Sequence, residues 1–167
     1  MKKVILILAV VFSSNIMFAQ GVFDKLEDLD EVSTVVVTKD AFELLRKFPD
    51  ANSKDMKVFN TAKGLQELKV FSTENMTIAN DMESMVNALI KKGGMTQLMR
   101  VKDKGSRVKI YIRSTKNKDI VSEVLMFVKS TEDKDNKPSS TVISLLGEIN
   151  MNELAEIAND YDKKSDQ

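Results

Sequence analysis

The 167-residue chain contains no cysteine, no histidine and no tryptophan, and only two prolines. Without cysteine it can form no disulfide, and it cannot carry the lipid that anchors bacterial lipoproteins through an N-terminal cysteine. Without histidine and cysteine it also lacks the residues for a Ser-His-Asp triad, a Cys-His pair or an ordinary structural zinc site. We therefore expect a protein that is not an enzyme, binds no metal and uses no cofactor.

Two short motifs match known sites only superficially. Ser106 and Lys109 have the S-x-x-K spacing of penicillin-binding enzymes, but they lie in a predicted strand, where residues three apart face opposite ways. The segment that begins at Asp133 resembles a calcium loop, yet Lys137 and Pro138 occupy positions that need an oxygen ligand and a glycine. Neither motif predicts a site.

The first 19 residues have the pattern of a secretory signal peptide. Lys2 and Lys3 precede an apolar run at residues 4–12, and a small residue, Ala19, follows shortly afterwards. The apolar run is too short to span a bilayer, which takes about 20 residues. We expect cleavage after Ala19 and a soluble periplasmic or secreted protein with no transmembrane segment.

The charges are balanced, with 25 basic and 25 acidic residues in the whole chain. Two of the basic residues lie in the leader, so the exported chain would have a net charge of −2. Proteins that bind nucleic acids usually have a basic excess, because contacts to phosphates dominate their affinity. We therefore expect no nucleic-acid partner.

Hydrophobic spacing predicts one domain over residues 32–161, preceded by a loose N-terminal arm at 20–31 and followed by a disordered tail at 162–167. Residues 32–37 are almost all β-branched, as in a buried strand. Together with a strand at 68–72 and a C-terminal meander of four strands, the expected helices give an α+β fold: a mostly antiparallel sheet with amphipathic helices packed against it. The helices are predicted at residues 39–48, 53–63, 76–92 and 150–161.

The strand from Arg107 to Arg113 alternates basic or aromatic residues with apolar ones. Its candidates for ligand binding are Lys109, Tyr111 and Arg113, since RNA-binding sheets use such residues. An ordinary solvated strand has the same pattern. Pairing with the next strand would place Glu123 on the same face, so cross-strand charge pairs would explain the basic residues without a ligand. We favour this second interpretation.

The two C-terminal strands are apolar on both faces, whereas a sheet with one solvated face would alternate. Something must therefore cover the second face, and three covers are possible: the protein's own helices, a partner chain or an apolar ligand. We favour the helices. We group Leu125, Phe127, Ile143 and Leu145 on one face, and Val124, Met126 and Leu146 on the other.

Several stretches, in this order, resemble a secreted bacterial family, the domain of unknown function 4252. They are "VVVTKDAFELL", "LKVFSTEN", "LMRVKDKGSRVKIYIRS", "SEVLMFVKS" and "SLLGEINMNEL". The resemblance implies a small exported envelope protein, and through relatives encoded near extracytoplasmic-function sigma factors it implies a link to envelope stress. It implies no active site.

These observations lead us to expect a non-enzymatic exported protein that contacts an unknown envelope protein. The alternative is a carrier of a lipid or another apolar small molecule, which the strands with two apolar faces would suit.

Overall fold

A computed structural model describes residues 21–45, 47, 64–103, 105–131 and 138–152. These residues form three helices and six strands: α1 (Asp24–Glu27), β1 (Ser33–Thr38), α2 (Lys39–Leu45), β2 (Gly64–Thr73), α3 (Met76–Gly93), β3 (Thr96–Asp103), β4 (Ser106–Ser114), β5 (Ile120–Ser130) and β6 (Ser139–Asn150). The predicted leader at 1–19, the predicted helix at 53–63, most of the loop that begins at Asp133 and the tail at 162–167 lie outside the described residues.

The six strands form one antiparallel sheet in the order β1-β2-β6-β5-β4-β3. This agrees with the predicted α+β class and with a mostly antiparallel sheet. The sheet is larger than the expected C-terminal strands alone, because β2 pairs with β6 and brings β1 with it. As a result, β1 and β3 are the two edge strands.

Helix α3 has the clearest sequence signals and lies close to its predicted span of 76–92. Its N-cap is Asn75, whose Oδ1 accepts hydrogen bonds from the backbone N–H groups of Thr77 and Ile78 at 2.8 and 3.3 Å. Its C-cap is Gly94, at a left-handed φ of 61°. One face of the helix is buried against the sheet, through Ala79, Met82, Val86 and Leu89.

The main core lies between α3 and one face of the sheet. Phe71 of β2, Val142 of β6 and Phe127 of β5 lie side by side in the register, and none of them is exposed to solvent. They pack with Met82 and Val86 of α3. We call this side of the sheet the helix face. Burial of these large side chains stabilises the packing of the helix on the sheet.

The expectation of a loose N-terminal arm is wrong for residues 21–31. Helix α1 and the residue before it bury Phe23 and Leu26 in the main core, where the Phe23 ring lies 5.9 Å from that of Phe71. In the sequence, the acidic residues of this segment made it look solvated. Two of them, Asp24 and Glu27, instead form ion pairs with a lysine in β2.

That lysine is Lys69, whose Nζ lies 3.0 Å from Asp24 Oδ1 and 3.0 Å from Glu27 Oε1. Partial burial lowers the pKa of Lys69, but hydrogen bonds to Asp24 and Glu27 and the nearby charge of Glu67 raise it more, so the pKa lies above its ordinary value. These ion pairs fix α1 on the helix face.

The expectation that residues 32–37 form a buried strand is also wrong. This segment forms β1, where Val35 is 51% exposed and Val36 is 41% exposed. A continuous β-branched run is typical of a central strand. Here the strand has a neighbour on one side only among the described strands, and its valines are accessible.

The opposite side of the sheet carries a second apolar cluster, which we call the outer face. Val121, Val124 and Ile149 form its centre. The partly buried residues packed against them include Ile110, Ile112, Leu145 and Met151.

The sequence grouping of the two faces is wrong in part. In the register Ile143 is opposite Met126 and Leu145 is opposite Val124, so both lie on the outer face, whereas Leu146 is opposite Glu123 on the helix face. Sequence alternation gives the faces within each strand, but it does not give the register between them.

The predicted last helix begins as expected. The Asn150 side chain accepts a hydrogen bond from the backbone N–H of Asn152 at 3.0 Å. The rest of that helix lies outside the described residues.

Candidate functional site

The three candidate residues of β4 have different surroundings. Tyr111 is only 7% exposed and belongs to the main core. Lys109 and Arg113 lie on the same face at either side of it, and each is paired with an acidic residue. The prediction that Glu123 pairs across from this strand is confirmed, because Arg113 is directly opposite Glu123 in the register.

Glu83 of α3 holds two lysines of the sheet. Lys109 Nζ lies 3.1 Å from Glu83 Oε1, and Lys129 Nζ lies 3.3 Å from Glu83 Oε2. Partial burial raises the pKa of Glu83, but the hydrogen bonds and charges of Lys109 and Lys129 lower it more, so the pKa lies below its ordinary value. The Lys109 ammonium also lies 5.9 Å from the centre of the Phe127 ring.

We predict that Glu83→Gln lowers the free energy of unfolding by about 1–2 kcal/mol at neutral pH. A carboxylate whose pKa is depressed by folding stabilises the protein above its ordinary pKa, and this contribution disappears as the pH falls through the folded-state value. The difference between wild type and variant should therefore shrink in acid. Urea unfolding over a series of pH values would measure it.

The matched control for this prediction is Glu43→Gln. Glu43 pairs with Lys39 at 3.6 Å, but their side chains are 47% and 66% exposed. Solvent screens such a pair, so this variant should show little change and no such pH trend. If the difference in unfolding free energy between wild type and Glu83→Gln stayed constant down to strongly acidic pH, the stabilising role of the ionised Glu83 would be contradicted.

A row of basic side chains continues from β5 across β4 to β3. In the register Arg100 is opposite Lys109, Lys102 is opposite Arg107, and Arg107 is opposite Lys129. All five therefore lie on the helix face, near the edge of the sheet. We call them the basic edge.

The basic edge is poorly neutralised within the part of the chain that the structure describes. Lys109 and Lys129 share one carboxylate, that of Glu83. Arg100, Lys102 and Arg107 are exposed and form no ion pair with any described residue. Cations that no described acid neutralises are available to an external partner.

Strand β3 carries this charge at an open edge of the sheet. All eight of its residues are exposed. Met99 and Val101, which lie on the outer face opposite Ile110 and Val108, are 46% and 44% exposed. Leu98, the extra residue of a β-bulge, is 51% exposed. Over residues 99–102 the strand thus presents one basic face and one apolar face, beside a row of backbone groups that no other described strand covers.

A groove of about 1240 Å³ lies at the other end of the central strands. Three of the register irregularities occur there, in the β2–β6, β4–β5 and β5–β6 pairs. Bulges bend strands and often lie beside binding sites. The groove has a mixed lining that includes Val22, Met85, Leu89, Arg113, Glu123 and Leu146.

The Arg113–Glu123 pair lies in the wall of this groove. Glu123 Oε2 accepts hydrogen bonds from Nε and Nη2 of Arg113 at 2.9 and 2.8 Å, and Glu123 is only 2% exposed. The guanidinium also lies against Gly93, where a Cβ atom would come within 2.8 Å of Nη2. Arg113 therefore lies at the C-terminal end of α3, where the helix dipole favours a cation.

The described residues contain no group of three or more acidic side chains that could hold a metal ion. In the same part of the chain, no helix has both the length and the apolar character needed to cross a bilayer. The described surface therefore offers two features for recognition, the basic edge with β3 and the groove.

One family model matches residues 25–157, and its description is Domain of unknown function (DUF4252). The chain belongs to this family. The resemblance seen in the sequence is thereby confirmed. Comparisons with curated proteins and with solved structures give no match. The DUF4252 match includes all six strands, and with them the basic edge and all of the groove lining except Val22.

Sequence reasoning missed part of the basic edge in this DUF4252 chain. Arg100 and Lys102 alternate with Met99 and Val101, which is the same pattern that drew attention to β4. The alternation is visible in the sequence, but the basic residues of the two strands form one surface only because β3 pairs with β4.

Proposed function

We propose that this protein is a non-enzymatic exported protein that binds another protein of the bacterial envelope by adding a strand of that partner to β3. The observation that carries the proposal is the exposure of every residue of β3 on an open sheet edge. An edge strand has unpaired backbone donors and acceptors, and a partner strand can pair with them.

The side chains of β3 support the same proposal. Leu98, Met99 and Val101 expose apolar surface along a single strand. Burial of such surface contributes about 25 cal/mol per Å² to association, before the entropic cost of binding. Backbone pairing gives the strand addition its geometry, and these three side chains give it an apolar contact.

Location in the envelope rests on other observations. The signal-peptide pattern of residues 1–19 and the resemblance to secreted relatives support export. A role in envelope stress is supported by the resemblance alone.

Site-specific photo-cross-linking tests the proposal. The protein is expressed in the bacterium with a photoreactive amino acid at Met99 or Val101. After irradiation it should form a discrete adduct with an envelope protein. The control positions are Asn87 and Lys91, which are exposed on α3. We expect the strongest adducts from the β3 positions, because a strand added at that edge would lie directly beside those side chains.

Equal adducts from the α3 positions would contradict a β3 interface, and so would the absence of any adduct from β3. Circular dichroism of each labelled protein checks that the sheet is intact. With a folded protein, a negative result counts against the proposal.

A second proposal, carriage of an apolar small molecule, is supported by the groove. Its volume exceeds what a single small ligand needs, and Met85, Leu89 and Leu146 give it an apolar part. Native mass spectrometry of freshly purified protein separates the two proposals, because a carrier would retain a bound mass and a strand-binding protein would not.

A further inference from the structure

We infer that the strand recognised by β3 has acidic side chains on one face and apolar side chains on the other. This inference rests on the proposed strand addition and adds the chemistry of the partner. It follows from the two different faces of β3 and from the charge of the basic edge.

An added strand would continue the pleat of the sheet, so its side chains would alternate between the same two faces. On the helix face they would lie beside Arg100 and Lys102, with Cβ atoms about 4.5–5.5 Å from the residues directly opposite. On the outer face they would lie beside Met99 and Val101. The regular part of the edge follows the bulge at Leu98, so recognition is expected at residues 99–102.

Charge complementarity decides what the helix face accepts. Arg100, Lys102 and Arg107 form no ion pair with a described residue, and Glu83 is already shared by two lysines. A neutral strand would leave the three unpaired cations as they are, and a basic strand would add repulsion. Carboxylates at alternate positions would form cross-strand ion pairs with Arg100 and Lys102. Aspartate or glutamate is therefore the favoured partner residue.

The same charges disfavour a second copy of this chain as the occupant. In an antiparallel two-fold pairing centred on Val101, Arg100 of each copy would lie directly opposite Lys102 of the other. Like charges directly opposite each other in a sheet are destabilising. The cations thus oppose self-association at an edge that would otherwise be prone to it, and they select an acidic strand.

Three synthetic peptides test the inference. They share apolar valine at alternate positions and differ at the positions between, which carry glutamate, glutamine or lysine. Fluorescence anisotropy of each labelled peptide, titrated with the purified exported protein, measures the affinity. We expect the glutamate peptide to bind at least tenfold more tightly than the glutamine peptide, with the lysine peptide weakest. Added salt should reduce the advantage of glutamate, because the surface is exposed.

A charge-swapped protein gives the decisive comparison. Arg100→Glu with Lys102→Glu should reverse the order, so that the lysine peptide binds more tightly than the glutamate peptide. The matched control is Lys116→Glu with Lys118→Glu, which makes the same change of charge on exposed residues of the β4–β5 turn. The control should keep the order of the wild type.

The possible outcomes separate the inference from the proposed function. Equal binding of the three peptides at β3 would overturn the acidic preference and leave strand addition intact. Reversal by the turn variant as well would show a general charge effect and would also overturn the inference. Failure of every peptide, together with no cross-link at β3, would overturn the proposed function itself. A concentration-dependent dimer that cross-links through β3 would identify a second copy as the occupant and contradict the inference.

Discussion

Replacing Arg113 with methionine is expected to lower the free energy of unfolding by about 3–5 kcal/mol, because the change leaves a buried carboxylate without its partner. Glu123 is 2% exposed, whereas the Arg113 side chain is 29% exposed. The loss therefore falls mainly on the acid, because it is the more deeply buried of the two side chains. Chemical denaturation of the purified variant measures the change.

The geometry of the pair predicts that lysine is a poor substitute for Arg113. Two nitrogens of the guanidinium donate to the same Glu123 oxygen, at 2.9 and 2.8 Å. A lysine ammonium is a compact charge and cannot reproduce this planar arrangement. Arg113→Lys should therefore recover only part of the lost stability.

A double substitution separates the missing partner from lost packing. Arg113→Met combined with Glu123→Leu removes both charges, and well-packed apolar replacements of a buried ion pair are often neutral or stabilising. The double variant should therefore be more stable than Arg113→Met alone. A loss of less than about 1 kcal/mol for Arg113→Met would contradict the assignment, since buried pairs that lose one partner lose several times that amount. Equal instability of the single and double variants would attribute the loss to packing instead.

The register of β4 and β5 could be predicted from the sequence because several residues agree on it. The short turn after Ser114 makes the two strands antiparallel neighbours. Placing Glu123 with the basic residues then requires Ile110 to lie opposite an apolar residue, and Ile110 is opposite Met126. Charge and hydrophobicity constrain the same register, since a slip of one residue would bury the wrong face.

The position of β1 could not be predicted in the same way. Its valines are as β-branched as those of a central strand, and nothing local distinguishes a strand with two neighbours from a strand with one. Edge status depends on β2 pairing with β6, across more than 60 residues of sequence. The register between β5 and β6 decided which face Ile143 and Leu145 occupy.

The docking of α1 illustrates a second limit of sequence reasoning. The acidic residues between 24 and 31 concealed two buried apolar residues, Phe23 and Leu26. These two residues pack against side chains of β2 and α3. Lys69 of β2 supplies a positive charge that pairs with two acidic residues of the segment. A segment with little periodicity can therefore be well packed when its contacts are distant in sequence.

The basic edge follows partly from the sequence pattern and partly from the order of strands in the sheet. Alternation in β3 and β4 gives each strand a basic face, but only the sheet order makes the two faces continuous. Helix α3 contributes Glu83 to the inner part of this surface and leaves its outer part without an acid among the described residues. The candidate site is therefore a product of topology, and this explains why no motif in the sequence marks it.

Replacing Gly147 with alanine is expected to lower the free energy of unfolding by at least about 3 kcal/mol, because backbone strain and overpacking add at this position. Gly147 has a φ of 142°, which side chains rarely allow. A Cβ atom there would also collide with the Gly64 carbonyl oxygen and would lie 2.8 Å from Leu65 Cα. These contacts are with backbone, so the β2–β6 pair would have to separate.

Gly94→Ala is the matched control, since it adds the same methyl group at another positive φ. Gly94 has a φ of 61°, and a Cβ atom there would meet nothing within 4 Å. That variant should lose only the conformational term, about 1–2 kcal/mol. The excess loss at Gly147 measures the close approach of β2 and β6. Equal losses at the two glycines would show that the strands can separate freely at the bulge, and the wall of the groove would then not be fixed by this contact.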